Sequence, residues 1–388
     1  MAEISAKSAT SIALRVAART HSRQEGRVHF QPEVSMLKFM LFIALLVSFS
    51  AQSAFAAVGF REMTLPDKQG GRPMHVSIWY PTDTDREPVL LGETPAFRGQ
   101  PVVKDADAET GPHPLVILSH GYGGSWRNLA WLASELVHKG YVVAAPDHPG
   151  TTTFDMRPPE AVILWKRPRD LSRVIDALLS RRELTGGIAS NRIAAIGHSL
   201  GGWTVIELAG GRFDAKDVMT NCMTQFGSLY CKIFKALGVG RDAASTLAMG
   251  ADLSDRRIGA VVTLDLGPGR GLTPQSLASA RVPALVFGAA EDVDKETAAK
   301  ADIAATNKDS AYLAQYLPSA TTSYALVPGS LHFSFMQPCK PGAAALIEEE
   351  APGESIVCKD GQGADRNAIH RQVADMIVAF LQRALPTR

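Results

Sequence analysis

Apolar and polar positions follow two patterns along this chain. Short continuous apolar runs predict strands covered on both faces, and longer stretches with apolar residues at helical spacing predict amphipathic helices. Residues 72–80 alternate and predict an early strand, stopped by Pro81. Residues 82–113 are rich in Pro, Gly, Asp and Glu and predict an irregular excursion at a sheet edge. Further strands are predicted at 114–118, 141–145, 193–196, 259–264, 283–287 and 323–327. Helical patterns run over 126–139, from Pro158-Pro159 to about residue 182 with a bend or break at Pro168, from Trp203 onward, over 297–317 and over 366–385. Residues 210–257, with Gly pairs and scattered apolar residues, predict an irregular helical insertion capping the adjacent strand ends, and residues 338–363 predict a loop. Strands alternating with helices imply an α/β class: a mostly parallel, doubly wound sheet with helices on both faces and a helical cap insertion.

The N-terminus departs from this pattern. Residues 1–35 show no core-forming spacing and are expected to be a non-native extension, with Met36 as the real start. Lys38, the apolar run from Phe39 to Phe49 and the Ala-Phe-Ala at 54–56 predict a signal peptide over 36–56, cleaved after Ala56. The run is short for a membrane span, so an uncleaved anchor is the alternative. The expected mature domain is 57–388, secreted or periplasmic, with no stable membrane span.

Composition narrows the function classes. At 388 residues, 46% hydrophobic and 20% charged, the chain suits one large α/β domain or two small ones. A formal net charge of +1 gives no reason to expect nucleic acid or an anionic membrane as partner. The four cysteines, Cys222, Cys231, Cys339 and Cys358, form no C-x-x-C and sit with no His cluster, so neither zinc nor another metal is expected. For an exported chain the even count suggests disulfides, Cys222–Cys231 and Cys339–Cys358, since each closes a local loop; four free thiols are the alternative. Oligomeric state is not encoded at this level.

The chemistry centres on Gly197-His198-Ser199-Leu200-Gly201, which ends the apolar run 193–196 and opens a helical pattern. A serine in a Gly-flanked strand-to-helix turn is the nucleophile-elbow pattern. The other candidates also follow predicted strands: His120-Gly-Tyr-Gly-Gly124, Asp265, Asp292 and His332. In a parallel sheet these ends share one edge, where ligands bind. A serine hydroxyl is a weak nucleophile and needs a general base, for which His332 is the candidate; His198 is tied to the turn, His120 and His148 brace the loops beneath, and His370 lies in the last helix. The acid that orients the base is Asp265, with Asp292 as the alternative beside Glu291 and Asp294. The backbone N–H of Leu200 is a candidate donor to an oxyanion.

These motifs, in the order Ser, Asp, His, make the chain resemble the α/β-hydrolase superfamily over roughly residues 70–385. More narrowly it resembles the plasma-type platelet-activating-factor acetylhydrolases and the bacterial "predicted dienelactone hydrolase" proteins. The matching features are His120-Gly-x-Gly, Asp147-His148, Gly197-His-Ser-x-Gly-Gly202, Leu264-Asp265 and Gly329-Ser-x-His332. True dienelactone hydrolases resemble it less, since their nucleophile is a cysteine. The resemblance implies a second oxyanion donor in the N–H of Tyr122, favours Asp265 as the acid, and points to short or oxidised acyl chains on a phospholipid or other small ester.

The expectation is therefore a secreted serine carboxylic-ester hydrolase with a Ser199-His332-Asp265 triad, an acyl-enzyme intermediate, no cofactor, and a small-molecule or lipid ester as substrate. A polyester or lipid hydrolase and an acyltransferase are the enzymatic alternatives; a binding protein on an inactive hydrolase fold is the non-enzymatic one.

Overall fold

The computed structural model of the chain describes residues 57–66, 72–157, 162–224, 234–290 and 308–386. The strands are β1 (Ala57–Leu65), β2 (Met74–Thr82), β3 (Val89–Leu91), β4 (Gln100–Lys104), β5 (His113–Ser119), β6 (Val142–Pro146), a small β7–β8 hairpin (Thr151–Thr152, Asp155–Met156), β9 (Ile188–His198), β10 (Ile258–Leu264), β11 (Ala284–Ala290) and β12 (Thr322–Pro328). The helices are α1 (Ala130–Val137), α2 (Lys166–Ser180), α3 (Leu200–Leu208), α4 (Ala215–Thr224), α5 (Ala243–Met249), α6 (Pro274–Ala278), α7 (Lys308–Tyr316), α8 (Ala343–Glu350) and α9 (Arg366–Ala384).

Ten strands form one sheet in the order β12-β11-β10-β9-β5-β6-β2-β1-β4-β3. From β6 to β12 every neighbouring pair is parallel, while β2 runs antiparallel to both β6 and β1. The central strands are apolar on both sides because both sides are covered. Leu115 and Ile117 of β5, with Ile193 and Ala195 of β9, face the core that holds Leu171, Val174 and Ile175 of α2. Val116, Leu118, Ala194 and Ile196 face the opposite core, which holds Leu132 and Leu136 of α1 and Val373, Ile377 and Leu381 of α9. Each of the Val, Leu and Ile side chains, fully buried, contributes about 1.5–3 kcal/mol.

Several expectations need correcting or extending: β2 runs through Pro81 to Thr82, and the loop expected at 338–363 carries α8 and a 3₁₀ turn, Glu354–Cys358. β1 was not foreseen, and the excursion at 82–113 contains β3 and β4, with β4 pairing parallel to β1. The elbow strand starts at Ile188, five residues before its apolar run. Pro168 neither bends nor breaks a helix, because α2 begins only at Lys166 and Pro168 falls in its first turn. There the backbone N–H has no intrahelical partner to lose. Residues 126–139 open as a 3₁₀ turn, Trp126–Leu129, before α1.

The segment expected as a cap holds α4 and α5; its residues 225–233 lie outside the described residues, as do the expected signal peptide at 36–56, the extension 1–35 and the helix start at 297–307. Cys339–Cys358 is a disulfide, while the pairing of Cys222 with Cys231 lies outside the described residues. Among the described residues no helix is long and apolar enough to cross a membrane.

Candidate active site

Parallel pairing brings the functional loops to one edge. His198, the last residue of β9, sits opposite Leu264, the last of β10. The next residues, Ser199 and Asp265, therefore leave the sheet side by side, with Ser199 N–H donating to Leu264 O at 3.1 Å and Asp265 N–H to Phe287 O at 3.0 Å. Both bend sharply there: Ser199 has φ 55° and Asp265 φ 47°, left-handed values that non-glycine residues adopt at a cost. The serine turn closes because its neighbours lack a Cβ. One built on Gly197 would overlap the carbonyl of Gly201, and one on Gly201 the carbonyl of Ser119.

β12 delivers the histidine. After it, Ser330 N–H returns to Val327 O and a 3₁₀ turn, His332–Phe335, begins. Ser199 Oγ lies 3.0 Å from His332 Nε2 and donates to it, and His332 Nδ1 donates to Asp265 Oδ2 at 2.6 Å. The other oxygen of Asp265 accepts from Ala289 N–H at 2.8 Å. Burial alone would raise the Asp265 carboxyl; the His332 hydrogen bond, the histidine's charge and the Ala289 N–H outweigh it, and the group lies below its ordinary value. Asp292 lies outside the described residues.

Tyr122 and Leu200 flank the serine. A Cβ on Gly121, the residue before Tyr122, would stand 3.1 Å from the Ser199 Cβ. Leu200 is the first residue of α3, so its N–H has no helical acceptor and points out of the positive end of the helix. Among the described residues neither this N–H nor that of Tyr122 donates to another backbone group. Tyr122, Leu164, Leu200, Phe234, Leu237, Gly267 and Pro268 line a half-open apolar pocket of about 40 Å³ beside the serine.

Around this site stand contacts that the sequence did not disclose. His198 Nε2 donates to His332 O at 2.8 Å, and burial drops its imidazole to about 3, so it is neutral at physiological pH. His370 Nε2 donates to Ser334 O at 2.9 Å and Trp131 Nε1 to Phe335 O at 2.9 Å, with the two rings stacked 3.7 Å apart. Three ring N–H groups thus satisfy three carbonyls of the histidine turn. Beneath the Tyr122 loop, Ser119 Oγ donates to His148 Nε2 at 3.0 Å and His148 Nδ1 to Asp170 Oδ2 at 3.1 Å, all in the dry interior. Arg167 completes that network. Its local sequence, Lys-Arg-Pro-Arg-Asp, does not distinguish it from the neighbouring Arg169.

Comparison with known proteins agrees with this architecture. A solved ferulic acid esterase from Streptomyces cinnamoneus superposes with a TM-score of 0.54 at 21% identity, over 87% of this chain and 92% of that one, a likeness of fold. The chain is 32% identical over 110 residues to the cutinase est1 of Thermobifida alba, covering 28% of this chain and 34% of the relative. It is 30% identical over 154 residues to a bis(hydroxyethyl) terephthalate hydrolase of Streptomyces coelicolor, covering 38% of this chain and 46% of the relative. It thus spans less than half the length of these curated relatives. A model of the alpha/beta hydrolase family matches residues 116–386, well over half of the chain. The chain belongs to the alpha/beta hydrolase family.

Proposed function

We propose that the protein is a serine carboxylic-ester hydrolase with Ser199 as nucleophile, His332 as general base and Asp265 as the acid that orients it. The observation that carries this reading is the hydrogen-bonded series Ser199-His332-Asp265 beside two outward N–H groups. As the Ser199 Oγ attacks the ester carbonyl, its proton passes to His332 Nε2, and Asp265 stabilises the imidazolium. The oxyanion takes hydrogen bonds from Tyr122 and Leu200 N–H, an interaction worth about 3–4 kcal/mol per donor in such sites. Collapse breaks the C–O bond, and His332 gives its proton to the departing alcohol. Water then attacks the acyl-enzyme, losing a proton to His332, and the acid leaves as Ser199 Oγ recovers its hydrogen. The backbone strain at both Ser199 and Asp265 supports the assignment, since such strain collects at functional sites.

The substrate proposed is an ester of a short acyl chain. A water needs about 10–15 Å³ of such space, so the half-open pocket of about 40 Å³ suits a small acyl group. The relatives' names favour a second reading, a polyester hydrolase, whose aromatic acyl group would need the segment 210–257, proposed as a cap, to open. Export through a signal peptide at 36–56 is proposed as well; the Cys339–Cys358 bridge fits an oxidising compartment.

Turnover of p-nitrophenyl acetate, butyrate and octanoate beside bis(hydroxyethyl) terephthalate separates the readings: acetate leads under the first, the terephthalate under the second. Ser199→Ala abolishes turnover and fluorophosphonate labelling. Asp265→Asn lowers kcat by about 10⁴-fold, the cost of a misoriented imidazole, whereas Asp292→Asn leaves it intact. Equal labelling of wild type and Ser199→Ala would end the proposal.

A further inference from the structure

Arg167 is 1% exposed, yet among the described residues its guanidinium hydrogen-bonds no carboxylate. The carboxylate of Asp170, one helical turn on, is taken up by Arg72 at 3.0 Å, Arg173 at 3.3 Å and His148 at 3.1 Å. The guanidinium of Arg167 instead spreads over uncharged acceptors. Nε donates to Thr204 Oγ1 at 3.0 Å, Nη1 to Thr151 Oγ1 at 2.7 Å, and Nη2 to Ser119 Oγ at 3.4 Å and to the carbonyl of His120.

Each acceptor leads to one side of the serine. The Thr204 hydroxyl donates to Leu200 O at 2.9 Å, in the first turn of α3. The His120 carbonyl belongs to the peptide that enters Gly121-Tyr122. Thr151 accepts Gly123 N–H on its own carbonyl at 3.0 Å, just beyond Tyr122. Hence one planar fork binds the carbonyl that opens the loop presenting Tyr122 N–H, and reaches that loop's far end through Thr151 and the elbow turn through Thr204.

We infer that Arg167 is a positioning residue: from the buried side it sets the spacing of the two N–H groups proposed to bind the oxyanion. The inference rests on the esterase reading above. Geometry suits the task. A guanidinium offers five donors in one rigid plane, so four acceptors on three elements are held in a fixed relation, which a lysine ammonium on a flexible stem does not reproduce. Burial pushes the Arg167 guanidinium down to about 9, partly offset by Asp170, so at neutral pH it keeps its proton and all five donors. Around it the imidazoles of His120 and His148 are held well below their ordinary value by burial and by Arg167 itself, so both remain neutral. Ser119, His148 and Asp170 repeat the hydrogen-bond order of the proposed triad, but no substrate reaches them; they serve as the floor on which Arg167 rests.

The test uses the full chain, with sites titrated by a fluorophosphonate carried to completion. Arg167→Lys should lower kcat per titrated site on p-nitrophenyl acetate by at least about tenfold, short of the 10²–10³ lost with a whole donor. KM should stay within about threefold, because the loss is confined to the transition state. Affinity for an alkyl boronic acid, which forms a tetrahedral adduct, should fall in parallel with kcat. A merely structural role would lower the number of titrated sites and leave kcat per site unchanged. If Arg167→Lys does not fold, Thr151→Val with Thr204→Val cuts one tether on each side while keeping the buried cation and its bond to the His120 carbonyl, and a fall in kcat per site in the same direction is expected. Unchanged kcat per site and unchanged boronate affinity in the variant that folds overturn the inference alone. A wild type that the probe does not label ends the esterase reading, and the inference with it.

Discussion

The imidazole next to the serine holds the backbone of the imidazole opposite it: His198 Nε2 donates to the carbonyl of His332 at 2.8 Å, across 134 positions of sequence, with the rings 4.8 Å apart. The bond is partly buried and neutral, so its net worth is about 0.5–1.5 kcal/mol. His198→Leu leaves that carbonyl without its donor. If half or more of the worth appears in the barrier, kcat falls about 2- to 10-fold with KM unchanged. Steady-state kinetics on p-nitrophenyl acetate checks this, and a kcat equal to wild type would refute a role for the bond.

Acid should unfold the protein through its buried histidines. Burial lowers His198 and His370 to about 3, and lowers His120 and His148 well below their ordinary value. In each case the unfolded chain binds a proton near pH 6.5 that the folded chain refuses. Stability is therefore fully present above that pH and is lost as pH falls toward the folded value, by about 1.4 kcal/mol per pH unit for each such group. The lowered Asp265 carboxyl acts in the same direction at still lower pH. His370→Gln removes one titrating group from the set. Urea midpoints at pH 7.5, 6 and 5 should decline less steeply in this variant, and parallel declines would contradict the account.

Glu207 predicts the opposite dependence. It lies in α3, fully buried, with neither carboxylate oxygen hydrogen-bonded among the described residues. Burial pushes its carboxyl well above the ordinary value, against a smaller pull from Arg212. The folded chain keeps a proton that the unfolded chain gives up above pH 4.5, so this group costs stability as pH rises toward its folded value. Glu207→Gln should match wild type near pH 5 and exceed it increasingly toward pH 8 in chemical unfolding. A gap that stays constant over this range would show that Glu207 is ionised in the fold.

The Cys339–Cys358 bridge should matter for stability more than for rate. It closes a loop with a sequence separation of 19, for which chain entropy gives about 3 kcal/mol. Two residues beyond the bridge, Asp360 accepts from Ser334 in the histidine turn and from Arg366 of α9. That turn is also held by Trp131, His198 and His370, so it does not depend on the bridge alone. Replacing both cysteines with serine should lower the thermal midpoint by several degrees and leave kcat at 25 °C within about twofold. A large loss of kcat with an unchanged midpoint would reverse this assignment.

Local pattern made much of the molecule legible before any coordinates. Strands covered on both faces, such as β5 and β9, are written as unbroken apolar runs, and the Gly-flanked serine turn shows itself through the glycines its close approach demands. β1 was missed because Arg61, Glu62 and Thr64 interrupt its apolar residues, and its pairing with β2 and β4 is settled by partners outside its own segment. Pro168 was misjudged because the cost of a proline depends on where the helix starts.

What the sequence by itself determined is the α/β order of elements and the candidates Ser199, His332 and Asp265, each announced by the strand before it. Only the tertiary structure decided that these three form one hydrogen-bonded series, that His198 holds the backbone of His332, and that Arg167 links both sides of the serine. The reason is physical: strand and turn preferences act over a few residues and leave a periodic trace, whereas a hydrogen bond between residues tens of positions apart, or more than a hundred, leaves none until the sheet's register brings its ends together.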